Sequence, residues 1–353
     1  MFLFRVDGNP DIGSGHIMRC LSIADAGCWM GEECLFAAAG SHFAEVIKEH
    51  GHKVYVLNTD YKDMFSDLDS MKKLIETQKP AVLFIDSYQV SFDYMFVLWE
   101  VCKAIGCRLV YIDDIVAFAY PCDVLLNYNI YGPDNENDYV NLYEKKGISC
   151  PKLLLGTNFA PLRREFQGLP KRNVKKQAQK ILISTGGADP EHLAKEFAEY
   201  IVNNDLKFKE FYFHFIIGAM NEDCLEIEKL TEMNSSIVLH YNVKHMQQLM
   251  SGIDLAISAA GSTLYELCAT QTPTITYILA DNQIPGAKKF EEHKILYCAG
   301  DYRERRSNFI ELLLEEAVRL AGDYKERVRI ADRQRFIVDG NGAKRIAEAV
   351  YRG

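Results

Sequence analysis

Short apolar runs of the kind that fill the middle of a parallel sheet alternate with helical stretches along this chain, and the alternation occurs twice. In the first half the runs fall at residues 2–6, 33–37, 53–57, 81–85, 108–112 and 124–127, with helical patterns such as 43–50 and 94–105 between them. The regularity breaks at "GTNFAPLRREFQGLPKRNVKKQ", a stretch with two prolines and a cluster of basic residues. It resumes with "ILIS" after Lys180 and continues through "FYFHFIIG" (211–218), "IVLH" (237–240), "DLAIS" (254–258) and "TITYIL" (274–279). The segment 308–353 is helical in pattern, with charged outer faces. The expectation is α/β architecture: two Rossmann-like doubly wound domains with a central cleft facing the carboxyl ends of both sheets. Residues 1–160 form the first domain, 161–178 the linker and 179–353 the second, the last helix being a candidate to pack back on the first domain.

A chain of 353 residues exceeds what one core usually supports, which agrees with two domains. The formal net charge is −9, so nucleic acid and anionic membrane surfaces are poor partners, and any phosphate must be held by local devices. Ten cysteines include no CxxC pair and no Cys/His metal spacing, and they read as reduced thiols of a cytoplasmic protein. The chain runs from Met1 straight into "FLFRVDG" without a leader pattern, and no apolar run approaches the roughly 18 residues of a membrane span. Stable membrane association is not expected.

"NPDIGSGHIMRC", residues 9–20, follows the first apolar run. Gly13 and Gly15 let the backbone turn tightly and approach a ligand. From His16 onward, Ile17, Leu21, Ala24 and Cys28 form one apolar helical face, which leaves His16 in the first turn, directed toward the cleft. The positive end of a helix disfavours imidazolium, and a neutral imidazole is what a general base requires. His16 is thus a base, a part of a phosphate-binding turn or a helix cap. GxGxxG itself fails, because Arg19 stands where a glycine would be needed.

Two loops in the second half suit a nucleotide. "TGGADP" offers Gly186 and Gly187 ahead of a helix opened by Pro190, either as an anion-binding turn or as a bare αβ turn. In "DLAISAAGSTLYELCATQTPTITYILADNQ" a strand ends at Ser258 and a helix starts near Thr263, so that Gly261, Ser262 and Thr263 present amides and hydroxyls to a diphosphate. Glu266, one turn in, is a ribose acceptor or part of a solvated face. Asn282 and Gln283 follow the next strand, where they read sugar substituents or belong to a solvated loop. In the first half, Asp86 and Tyr88 at a strand end either bind sugar substituents or orient His16. Asp113 and Asp114 are adjacent on an extended strand end and point apart, so no metal site is expected there.

"RVDGNPDIGSGHIMRCLSIA", "FIDSY" (84–88), "YIDDI" (111–115), "LLGTNFAPLRREF" (154–166), "STGGADP" (184–190) and "ISAAGSTLYELCATQTPTI" (257–275) together resemble, in the same order, the blocks of the UDP-sugar hydrolases of pseudaminic acid biosynthesis. More distantly, the second half is similar to the N-acetylglucosaminyltransferase that makes lipid II, and both share the glycosyltransferase-B fold. The resemblance implies release of UDP from a UDP-2,4-diacetamido-2,4,6-trideoxyhexose by attack of water at the anomeric carbon, without metal or cofactor, with His16 as the base. The UDP contacts would then be Gly186, Gly187, Ser258, Gly261, Ser262, Thr263 and Glu266, and the sugar contacts Gly13, Gly15, Asp86, Tyr88, Asn282 and Gln283. A base on one face and the leaving group on the other favour inversion. The partner is a small UDP-sugar, and the chain is read as a monomer. An inverting UDP-sugar glycosyltransferase and a non-catalytic nucleotide-sugar-binding protein are the alternatives.

Overall fold

The computed structural model describes residues 1–218 and 220–351. The chain divides into two compact units, Met1–Arg164 with Gly340–Gly353, and Glu165–Asp339. Each is built on a parallel sheet, as the apolar alternation predicts.

In the first unit the strands are β1 (Phe2–Val6), β2 (Cys34–Ala38), β3 (Lys53–Val56), β4 (Val82–Asp86), β5 (Arg108–Ile112), β6 (Val124–Asn127) and β7 (Lys152–Leu155), in the order β3-β2-β1-β4-β5-β6-β7. In the second they are β8 (Lys180–Ser184), β9 (Tyr212–Ile217), β10 (Ile237–Tyr241), β11 (Leu255–Ala259), β12 (Thr274–Ile278) and β13 (Tyr297–Asp301), in the order β10-β9-β8-β11-β12-β13. All neighbours pair in parallel. Residues 152–155 and 297–301, which carried no strand expectation, are the edge strands β7 and β13. Most of their residues are only partly buried, so they lack the continuous apolar run of a central strand.

Alternate residues of a strand face opposite sides of the sheet, and β1 uses both. Phe4 pairs in register with Phe36 and Phe84, and its ring stacks on theirs at centroid distances of 4.8 and 4.7 Å. On the other face Arg5, fully buried, donates to Asp7 and Asp67 at 2.6 and 2.7 Å. A buried aromatic removed from such a stack leaves a cavity. Phe4→Ala should therefore cost about 3–5 kcal/mol in chemical denaturation of the chain.

The C-terminal helix Gly342–Tyr351 belongs to the first unit. Arg108 donates to the Val350 carbonyl there, and Lys152 Nζ donates to that of Ala349 at 3.2 Å. The expected closing helical segment is three helices rather than one continuous stretch, with residues 335–341 outside them, and Arg352 and Gly353 lie outside the described residues. The stretch expected as a linker is not loose where it meets the second unit. Arg172 donates to the carbonyls of Thr270, Met250 and Ile253, and buried Arg327 reaches the carbonyls of Lys175 and Lys176 at 2.9 Å each. Among the described residues, no helix is long and apolar enough to cross a membrane.

Candidate active site

A doubly wound sheet opens its ligand crevice beyond the carboxyl ends of its strands where the strand order reverses. In the first unit that point lies between β1 and β4, and the structure brings the GSGH turn and Asp86 together there. The Asn9 side-chain carbonyl accepts from the amides of Asp11 and Ile12 at 2.9 and 3.0 Å, and Gly13, at φ +75°, donates to the Asn9 carbonyl at 2.8 Å. A side chain at Gly15 would meet no protein atom within 4 Å, so open space lies over the turn.

The helix α1 (Gly15–Trp29) then begins, with His16 in its first turn. The residue is 8 % exposed, and its ring, expected to be directed toward the cleft, sits in a polar nest. Ile17, Leu21 and Ala24 of that stripe are buried, whereas Cys28 at the far end is exposed. The His16 Nδ1 lies 2.6 Å from Asp86 Oδ1 and 3.0 Å from Arg19 Nη2. A carboxylate oxygen at 2.6 Å requires a proton between the two atoms, so Nδ1 carries hydrogen and donates to Asp86. In the neutral ring this leaves the lone pair on Nε2. Tyr88 packs edge-on against the ring, at 4.8 Å between centroids and 80° between planes.

Asp86 is buried, and its oxygens are taken up within the protein. Arg19 Nε and Nη2 each donate to it at 2.6 Å, forming a two-point grip, while His16 donates to Oδ1. Arg19 Nη1 also donates to Asp114 at 2.8 Å and to the Tyr128 hydroxyl at 3.0 Å. Asp114 accepts further from Tyr88 at 2.7 Å and from Asn129 at 2.8 Å. Burial works to raise the Asp86 carboxyl, but Arg19 and then His16 hold it well below the usual carboxylate range. For Asp114 the same opposition, burial against Arg19, also ends below that range. Burial opposes the charge on Arg19, and Asp114 and Asp86 more than offset it. Two carboxylates against one guanidinium leave an excess negative charge behind the imidazole.

A cavity of about 20 Å³ beside the ring is lined by His16, Asp7, Ile12, Tyr61, Asp86 and Ser87 together with Tyr88 and Gln89. That is room for one water and little more. Asp113 is occupied elsewhere, accepting from the Ile115 and Val116 amides and from the hydroxyls of Tyr120 and Tyr139. Arg19, Asp114, Tyr128 and Asn129 carried no expectation as site residues. The available signal was the spacing of Arg19, three residues after His16 and so on the same helix face.

In the second unit the order reverses between β8 and β11, and both expected nucleotide loops leave the sheet at that point. Gly186, at φ +99°, and Gly187 follow β8, while Gly261 and Ser262 follow β11 and are exposed. A Cβ on Gly218 would sit 2.0 Å from the Gly187 carbonyl oxygen, so glycine there is what lets this loop pack against the end of β9.

Two expectations need correction. Pro190 does not open a helix. It lies in a turn, and the helix Leu193–Asn203 starts three residues later, after His192 at φ +57°. The buried Asp189 carboxylate accepts from the Leu193 and Ala194 amides at 3.1 and 2.8 Å. A side chain of the protein thus fills the place that an anion would take at that helix end. Ser258, expected as the strand's last residue and a UDP contact, lies within β11, which runs on to Ala259; it is buried, its hydroxyl donating to the Ala259 carbonyl at 3.1 Å.

The helix Thr263–Ala269 begins where the sequence placed it, with Glu266 in its first turn. The Gly261 amide is used within the loop, donating to the Ala259 carbonyl at 2.8 Å. Ser262 and Thr263 remain at the leading turn, where helical N–H groups have no intrahelical acceptor. Beyond β12, Asn282 is exposed, and Gln283 accepts from the Leu279 amide at 2.8 Å, which fixes that loop end.

The two parallel-sheet α/β units match the two-domain fold of glycosyltransferase-B structures, and residues 156–319 match the glycosyltransferase family 28 C-terminal domain. The chain aligns over 99 % of its length with the crystal structure of CalG4, the calicheamicin glycosyltransferase, covering 97 % of that chain at a TM-score of 0.66 and 14 % identity. Among relatives by sequence, it is 26 % identical over 75 % of its length to the UDP-2,4-diacetamido-2,4,6-trideoxy-beta-L-altropyranose hydrolase of Campylobacter jejuni, covering 86 % of that protein. It is also 26 % identical over 79 % of its length to an uncharacterized protein of Methanocaldococcus jannaschii, of which it spans only 55 %.

Proposed function

We propose that the protein hydrolyses a UDP-linked 2,4-diacetamido-2,4,6-trideoxyhexose to UDP and the free sugar, with inversion at the anomeric carbon. The observation that carries the proposal is the His16–Asp86 pair beside a cavity of single-water size at the switch point of the first sheet. Asp86 fixes the Nδ1–H tautomer, and His16 Nε2 takes a proton from water as the water oxygen attacks C1. The C1–O bond to the diphosphate breaks, and UDP leaves with that electron pair. The excess carboxylate charge behind the ring offsets the imidazolium that forms. On this reading Asp86 positions His16 and does not contact the sugar. UDP is assigned to the second unit, with its diphosphate on Gly186, Gly187, Ser262 and Thr263, beside Gly261, and its ribose on Glu266; in the first unit, Gly13, Gly15 and Tyr88 are assigned to sugar substituents. The substrate class rests on the likeness to the Campylobacter hydrolase.

A second reading is favoured by the family 28 match and the likeness to the calicheamicin enzyme: the same base deprotonates an acceptor hydroxyl, and the sugar is transferred. A UDP-release assay on a panel of UDP-diacetamido-trideoxyhexoses without acceptor separates the readings. Hydrolysis predicts multiple turnovers with water alone. Release only after an acceptor is added supports transfer, and tight UDP binding with no release on either addition supports a binding protein.

A further inference from the structure

At the opposite end of α1 from His16, three side chains outside the candidate active site converge. Cys28 lies in the last turn of α1, Cys34 opens β2, and His52 immediately precedes β3, the strand paired with β2. Their ligand atoms, the two sulfurs and a ring nitrogen, all lie within 4.8 Å of one another, and Cys28 Sγ is 3.8 Å from His52 Nδ1. Tetrahedral zinc, with bonds of about 2.3 Å to sulfur and 2.0 Å to nitrogen, spaces such atoms by about 3.5 to 3.8 Å. An ion could therefore be accepted with shifts of about an ångström or less.

The ring nitrogen is already the correct one. His52 Nε2 lies 2.8 Å from Asp25 Oδ1, and Asp25 Oδ2 lies 3.1 Å from His50 Nδ1. The two Asp25 oxygens thus each face a histidine ring nitrogen. With Nε2–H donated to that carboxylate, the Nδ1 lone pair is left on the side of the sulfurs. This is how carboxylates orient metal-ligating histidines. Cys34 and His52 are buried while Cys28 is exposed, so an ion has a route in and a solvent-facing fourth position.

We propose that Cys28, Cys34 and His52 form a zinc site, oriented by Asp25, that ties the end of α1 to the starts of β2 and β3. Both thiols release their protons to solvent on binding, Cys34 gives up its bond to the Ala24 carbonyl, and water completes the tetrahedron. Two thiolates and an imidazole select zinc over magnesium or calcium. Cys28 lies twelve positions along the helix from His16, about 18 Å, so the ion is distant from the proposed chemistry. The separations in sequence match no zinc signature, because parallel strand pairing rather than a loop assembles the set.

The test uses the full chain, reduced and freed of metal with a chelator, then titrated with Co²⁺ and back-titrated with Zn²⁺. One tetrahedral cobalt with a thiolate charge-transfer band, displaced by zinc, is expected. Asp25→Asn should weaken zinc about 10- to 100-fold. Cys28→Ser, an exposed exchange that the fold tolerates, should lose most of the charge-transfer intensity while UDP release is kept. The proposal is overturned if no charge-transfer band forms, if Cys28→Ser gives the wild-type spectrum and affinity, or if the reduced chain yields only a Cys28–Cys34 disulfide on mild oxidation and binds neither metal.

Discussion

His16→Asn is expected to slow UDP release by about 10²- to 10⁴-fold, the range that general-base assistance supplies, with UDP affinity nearly unchanged. Asparagine keeps a polar side chain in the nest and can still donate to Asp86, but it offers no basic nitrogen to water. The binding half of this expectation comes from the second unit, whose loops carry the nucleotide in the proposed mechanism. Turnover under saturating substrate and UDP affinity by calorimetry measure the two halves separately. A variant that loses UDP affinity in step with turnover would make His16 a positioning residue.

Asp86→Asn should be nearly as damaging to turnover, about 10²- to 10⁴-fold, through the tautomer rather than through the base. An amide NH₂ facing Nδ1 favours hydrogen on Nε2, the nitrogen that must accept. The variant should also be less stable by about 3–5 kcal/mol, because Arg19 loses a two-point carboxylate partner inside the protein. The stability effect has a defined pH dependence. The folded-state Asp86 carboxyl is held below its ordinary value of 3.8, so its contribution is complete above that value and fades as the pH falls through the depressed folded range. Wild-type and Asp86→Asn unfolding curves should therefore lie farthest apart near neutrality and converge in strong acid. Parallel curves at every pH would mean that the carboxylate is not ionised in the nest.

The fold was legible in the sequence because parallel strands buried on both faces must be apolar runs, and β1, β5 and β6 fall where those runs do. The two edge strands were not legible: "KLLL" follows a proline and "YCAGD" contains a glycine, and neither is buried as a central strand is. His16 could be read from its place after a glycine turn, and Asp86 from its place at a strand end. Arg19 was passed over although its spacing puts it on the His16 face, because an arginine in a helix reads as solvated until partners 67 and 95 residues away are brought to it. The Pro190 expectation failed for a local reason. A proline suits the first turn of a helix, but Asp189 caps the amides of Leu193 and Ala194, and left-handed His192 places the helix start after it.

The most direct measurement is turnover in ¹⁸O-labelled water with the products resolved by mass spectrometry. Attack of water at the anomeric carbon predicts label in the sugar hydroxyl and none in UDP. Label in the β-phosphate of UDP would place the attack at phosphorus and contradict the account.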